Sequence, residues 1–211
     1  QQITEASRST NGLKPYTVGP ITQGYRLNTA KTGRIAQNLI YPKGAYVLHM
    51  IRMMLNDRKE GDAKFQLMMR DFVKTHYNKD VSTDDFKRIV EKHITPKMDV
   101  DKNGKMDWFF DQWVYGTEMP SYKLEYSVSK TPDGKAVLSG KITQSGVSDN
   151  FVMPVPLYLD MGNGWVSAGH VTIVGNKSFD LGNINLPAEP KKVAICALSD
   201  ILAEKIENVK K

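Results

Sequence analysis

A chain of 211 residues, 40% hydrophobic and 25% charged, can bury one large or two small cores, and none of its apolar runs approaches the roughly 20 residues a bilayer-spanning helix needs. The net charge of +6 permits weak attraction to acidic partners, but the lysines are scattered among acidic residues, so no nucleic-acid-binding patch is expected. Cys196 is the single cysteine, which excludes an intrachain disulfide, and its neighbours Ile195 and Ala197 predict a buried, inert thiol.

The opening Gln1-Gln2-Ile3-Thr4-Glu5 has no initiator methionine and no basic stretch followed by an apolar one, so no signal peptide is read and the chain reads as a processed or truncated piece. No compartment follows from that. Residues 1–40, rich in Ser, Thr, Asn and Gly without a sustained period, predict an extended loop segment, a length that is usually functional or disordered. Pro42 suits a first helical position, and the residue before a proline avoids the helical region, so Tyr41 is expected at the entrance of a helix running to about Leu55. That helix is apolar nearly all round, with His49 and Arg52 as its main polar breaks, and should be buried.

A second, amphipathic helix is predicted over 62–77 from the spacing of Phe65, Met68, Met69, Phe72 and Val73. A third opens on the capping sequence Ser82-Thr83-Asp84-Asp85 and places Phe86, Ile89, Val90 and Ile94 on one face. A short aromatic helix over 107–115 ends at Gly116. After Pro120 the period becomes two, as in Tyr122, Leu124, Tyr126 and Val128. Pro132-Asp133-Gly134 turns into a second strand near 135–143. Phe151, Met153, Val155, Leu157 and Leu159 line a third, whose Pro154 and Pro156 imply an edge strand. Gly162-Asn163-Gly164 leads into a strand over 165–174, Phe179 and Leu181 mark a short one, and Val193, Ile195 and Ala197 a last. Six strands with tight turns predict a small antiparallel β-sandwich, and the basic residues of 205–211, interrupted by Glu207, read as a solvated tail. The fold class is therefore α+β in two units.

Catalytic motifs are scarce. The histidines His49, His76, His93 and His170 form no H-E-x-x-H pair, and no nucleophile elbow or phosphate-cradling loop is present. Asp99, Asp101, Asn103 and Asp107 have the spacing of a calcium loop with Gly104 at the sharp turn, but Phe110 stands where the bidentate glutamate belongs. A weak calcium site and an ordinary Asx- and Gly-rich turn both fit this pattern. The aromatic run around Trp108 and Trp113 has the helical spacing of a core. A tyrosine such as Tyr41 either packs in a core with its hydroxyl satisfied or donates its O–H to an oxyanion, and spacing leaves both open.

Tyr41-Pro42-Lys43-Gly44-Ala45-Tyr46-Val47-Leu48-His49-Met50 resembles the Tyr-x-Lys-Gly segment of the zinc aminopeptidases of the membrane alanyl aminopeptidase type, which are gluzincins. Gly19-Pro20-Ile21, Gly24-Tyr25-Arg26-Leu27 and Phe109-Phe110-Asp111-Gln112-Trp113-Val114-Tyr115-Gly116 are similar to neighbouring parts of that family, as are the stretches 65–72 and 82–90, so the likeness covers most of the chain. The resemblance implies that Tyr41 donates its O–H to the oxyanion formed when metal-bound water attacks a peptide carbonyl. It implies that 1–40 line the substrate cleft, that 41–119 are the helical end of a thermolysin-like catalytic domain, and that 120–211 are the β-sandwich after it. The zinc-ligand histidines, the general-base glutamate, the third ligand and the Gly-x-Met-Glu-Asn segment are absent and would lie upstream of Gln1. The expectation is a fragment inactive alone, with zinc held by the parent enzyme and with a peptide substrate and the missing N-terminal portion as partners. A noncatalytic protein-interaction or calcium-binding module is the alternative.

Overall fold

The computed structural model describes residues 3–211. Its first long helix, α1, spans Ile35–Leu55 and runs straight through Pro42, which corrects the expectation that Pro42 begins the helix and that Tyr41 stands outside it. An internal proline removes one helical hydrogen bond and crowds the carbonyl four residues back, at a cost of about 3 kcal/mol. Ile35, Ala36 and Leu39 supply the offset: all three are fully buried, and burying an isoleucine or leucine side chain contributes about 1.5–3 kcal/mol each. Tertiary burial thus carries the helix across a residue that local propensity would place at its start.

The segment before α1 is tighter than an extended loop. It forms short 3₁₀ turns at Arg8–Thr10, Pro15–Thr17 and Ile21–Leu27. Thr10 is buried and its hydroxyl lies 3.0 Å from the Ser7 carbonyl and 2.7 Å from that of Leu13. The Asn28 side chain accepts from the Ala36 N–H at 2.9 Å, satisfying an amide that the first turn of α1 leaves without a helical partner. Gly33, at φ 66°, is needed where it stands, because a Cβ there would sit 2.5 Å from the Ser9 carbonyl oxygen.

Three further helices follow: α2 (Ala63–Thr75), α3 (Thr83–Lys92) and α4 (Asp107–Trp113). The capping box of α3 forms as its residues suggest, with the Ser82 hydroxyl accepting from the Asp85 N–H at 3.2 Å and the Asp85 carboxylate accepting from the Ser82 N–H at 2.9 Å. Trp108, Phe109, Phe110 and Trp113 make α4 a core helix, and the Trp108 indole N–H donates to the Met98 carbonyl at 3.0 Å. The described chain divides into two compact units between Thr117 and Glu118.

The second unit holds seven strands among the described residues: β1 (Ser121–Lys130), β2 (Ala136–Ser145), β3 (Val152–Asp160), β4 (Trp165–Val174), β5 (Ser178–Leu186), β6 (Lys192–Ile195) and β7 (Lys205–Lys210). They form one sheet in the order β5-β2-β1-β7 and another in the order β4-β3-β6. Pairing is antiparallel except for β7, which runs parallel to β1. Leu124, Leu138 and Ile142 of the first sheet, and Val155, Leu157 and Ile173 of the second, are buried.

Two expectations are corrected here. The solvated tail is a strand, because main-chain pairing with β1 needs no apolar side chains, and the lysines instead guard the sheet edge against further pairing. The proline-bearing strand β3 is central. β6 pairs only with its Leu157 to Asp160 end, so Pro154 falls where β3 is paired on the β4 side alone, and Pro156 lies just beyond that end, where its carbonyl accepts from the Cys196 N–H at 3.2 Å and no proline N–H is called for. A buried side chain also links strand ends: the Tyr122 hydroxyl donates to Gln144 Oε1 at 2.8 Å, and Gln144 Nε2 donates to the Gly175 carbonyl at 2.9 Å and toward that of Phe151 at 3.4 Å.

Candidate functional site

Tyr41 lies on the solvent face of α1, 67% exposed, on a helix whose other side is buried from Ile35 to Leu55. Position follows from period: the buried stripe of Leu39, Lys43 and Val47 repeats every four residues, and Tyr41 falls between its members and so on the opposite face. Tyr25, on the last of the 3₁₀ turns and 57% exposed, neighbours the Tyr41 phenol, whose side-chain hydrogen-bonding and electrostatic influence raises the Tyr25 pKa above its ordinary value. Two phenols are therefore presented side by side. A phenol is both donor and acceptor, so Tyr41 can meet Tyr25 through its oxygen and an incoming acceptor through its hydrogen.

Immediately before the helix glycine Gly44, Lys43 occupies the core register of α1 and is fully buried. Its Nζ donates to the Gly116 carbonyl, just past the end of α4, at 3.0 Å. Burial lowers its pKa to about 8. Neither Lys43 nor Tyr25 stands out by residue type. For Lys43 the available signal is a lysine at a position where the apolar stripe requires a hydrophobic residue; for Tyr25 there is no signal short of the fold.

The calcium-loop residues do not converge on one point. The Asp99 carboxylate accepts from the Asn103 and Gly104 N–H groups at 2.9 and 3.0 Å, the Asn103 side chain accepts from the Lys105 N–H at 2.8 Å, and Asp107 pairs with Lys87. Asp101 is exposed. These are the contacts of an Asx-rich turn, in which the oxygens face the loop's own amides. Among the described residues no group of three or more His, Cys, Asp or Glu side chains could hold a metal ion. The histidines are spread over separate elements: His93 pairs with Asp71 at 2.9 Å, His49 meets the Tyr46 ring edge-on, His76 lies against Phe72, and His170 stands opposite Pro156 in β4. The described residues therefore do not by themselves fit a zinc ion, and what the arrangement around Tyr41 presents is a hydrogen-bond donor. No described helix is long and apolar enough to cross a membrane. No protein-family model matches the chain, and no curated protein matches it.

Proposed function

We propose that this chain is the C-terminal portion of a zinc-dependent aminopeptidase and that Tyr41 is its contribution to catalysis. The observation that carries the reading is a phenol left open to solvent on a helix that is otherwise anchored in the core. An exposed tyrosine on a rigid element can donate to an oxyanion in a cleft completed by residues outside this chain, and the preformed helix limits the reorganisation that donation requires. The resemblance of the Tyr41-to-Met50 segment to the gluzincin aminopeptidases supplies the reaction class, removal of N-terminal residues from peptides. The same reading makes 3–117 the end of the thermolysin-like domain and 118–211 the sandwich that follows.

In the complete enzyme, Tyr41→Phe is expected to lower kcat by about 10²-fold or more, the usual effect of removing one oxyanion donor, with zinc content unchanged. An unchanged kcat returns Tyr41 to a surface tyrosine. The 211-residue chain alone should neither cleave aminoacyl anilides nor bind zinc stoichiometrically. A second reading, a noncatalytic interaction module, is favoured by a shallow apolar groove of about 580 Å³ on α2, lined by Met69, Arg70, Val73, Lys74 and Tyr77. An H-E-x-x-H motif in the reading frame ahead of Gln1 supports the enzyme, and a start codon there supports the module.

A further inference from the structure

The turn Tyr41-Pro42-Lys43-Gly44 is intrinsically the weakest part of α1. Pro42 has no N–H to give the Asn38 carbonyl, and Gly44 carries the backbone entropy of glycine although a Cβ at that position would meet nothing within 4 Å. Left to propensity, the helix would fray or bend at the very residue that carries the exposed phenol. Besides the burial of Ile35, Ala36 and Leu39, a side-chain hydrogen bond opposes this at the turn itself, from Lys43 Nζ to the Gly116 carbonyl at 3.0 Å. Its acceptor is itself fixed. The Val114 and Tyr115 N–H groups both bond the Phe110 carbonyl as α4 ends, and a Cβ on Gly116 would lie 2.6 Å from the Gln112 carbonyl oxygen and 2.7 Å from that of Asp111. Only glycine lets the chain fold back so closely.

We propose that Lys43 is the positioning residue of the Tyr41 site: by tying the proline-weakened turn to the end of α4 it sets the height and rotation at which Tyr41 presents its phenol. The two side chains are two positions apart on the helix, with only Pro42 between them, so the tether grips one face of the turn while the phenol projects from the other. A hydrophobic residue of equal length would fill the space without holding the turn to a fixed point. The functional half of this inference rests on the reading of Tyr41 as an oxyanion donor; the mechanical half does not.

The test separates the two. In the 211-residue chain, Lys43→Met should speed amide hydrogen exchange at residues 44–47 by about tenfold, the scale of a lost hydrogen bond to a charged group, while amides near Met50 and Ile51 stay protected. Adding Gly44→Ala, which stiffens the same turn, should restore part of the protection. Unchanged exchange at 44–47, or equal acceleration along all of α1, overturns the tether. In the complete enzyme, Lys43→Met should lower kcat about tenfold to a hundredfold at constant KM and zinc content, and should have no further effect in a Tyr41→Phe background. A full additional loss in that background overturns positioning through Tyr41. If Tyr41→Phe alone leaves kcat unchanged while exchange at 44–47 still accelerates, the tether stands and the oxyanion reading is what fails.

Discussion

Replacing Lys43 by methionine should change how stability depends on pH, and the size of the change follows from the burial of one amine. Burial lowers the Lys43 pKa from 10.5 to about 8, and no acidic neighbour offsets that cause. At 1.36 kcal/mol per unit the buried charge costs the folded state about 3 kcal/mol below pH 8. Between pH 8 and 10.5 the unfolded chain holds the proton more tightly than the folded one, so this group's contribution rises with pH across that window and is flat below it. Lys43→Met removes the dependence. It also strands the Gly116 carbonyl, at about 1–3 kcal/mol, so at pH 7 the variant is expected to be equal to wild type or more stable by up to about 2 kcal/mol. By pH 10 the order should reverse. Urea unfolding at pH 7, 8, 9 and 10 reads the difference, followed by Trp108 and Trp113 fluorescence in a Trp165→Phe background so that only the helical unit reports. Other alkaline titrations are common to both proteins and cancel in the subtraction. A wild-type minus variant difference that stays constant from pH 7 to 10 refutes the reasoning, because it would mean that the amine is solvated in the folded state.

The Gln144 hub supports a second prediction. Gln144→Leu leaves the Tyr122 hydroxyl buried without a partner and takes one of two donors from the Gly175 carbonyl, which keeps the Lys177 N–H at 3.0 Å, so it should cost about 1–3 kcal/mol, whereas adding Tyr122→Phe should cost less than its own single effect, with a coupling of about 1 kcal/mol in a denaturation cycle. Strict additivity would show that the two side chains do not depend on each other. Ser82→Ala should destabilise α3 by about 1 kcal/mol through loss of its cap, read as reduced far-ultraviolet helicity during thermal unfolding. Asp85, whose pKa is held at about 2 chiefly by the Ser82 hydroxyl, supports that helix above pH 4 and loses its contribution as pH falls through 2. The same Ser82→Ala change should therefore flatten the acid limb of the curve, and an unaltered acid limb would place the shift elsewhere.

Signals carried by neighbouring residues were legible before the fold was. The Ser82–Asp85 box works within four residues, and the alternation of Tyr122, Leu124, Tyr126 and Val128 reports one buried face directly. Where partners distant in sequence decide, local rules fail. Pro42 marks a helix start by propensity, yet Ile35, Ala36 and Leu39 pull the helix seven residues further back because a core waits for them. β7 has the composition of a tail and becomes a strand only because β1 offers an open edge. The site divides in the same way. Tyr41 could be singled out from its segment, but its pairing with Tyr25 and the tether behind it require turns and helices brought together from residues 25 and 116. The four loop residues have a cation's spacing, but spacing does not show that Asp99 and Asn103 accept from backbone amides or that Asp107 pairs with Lys87.

The parallel pairing of β7 with β1 also bears on how the chain folds as it is synthesised. Ser121 finds its partner on that side in Lys205 and Tyr126 in Lys210, so β1 emerges from the ribosome long before one of its two neighbours exists. The β1–β2 hairpin can form early, but its outer edge stays exposed throughout translation of the intervening strands. Slowing translation late in this unit should therefore lengthen the interval in which β1 can pair with a foreign chain, and a chaperone that shields strand edges would act during that interval.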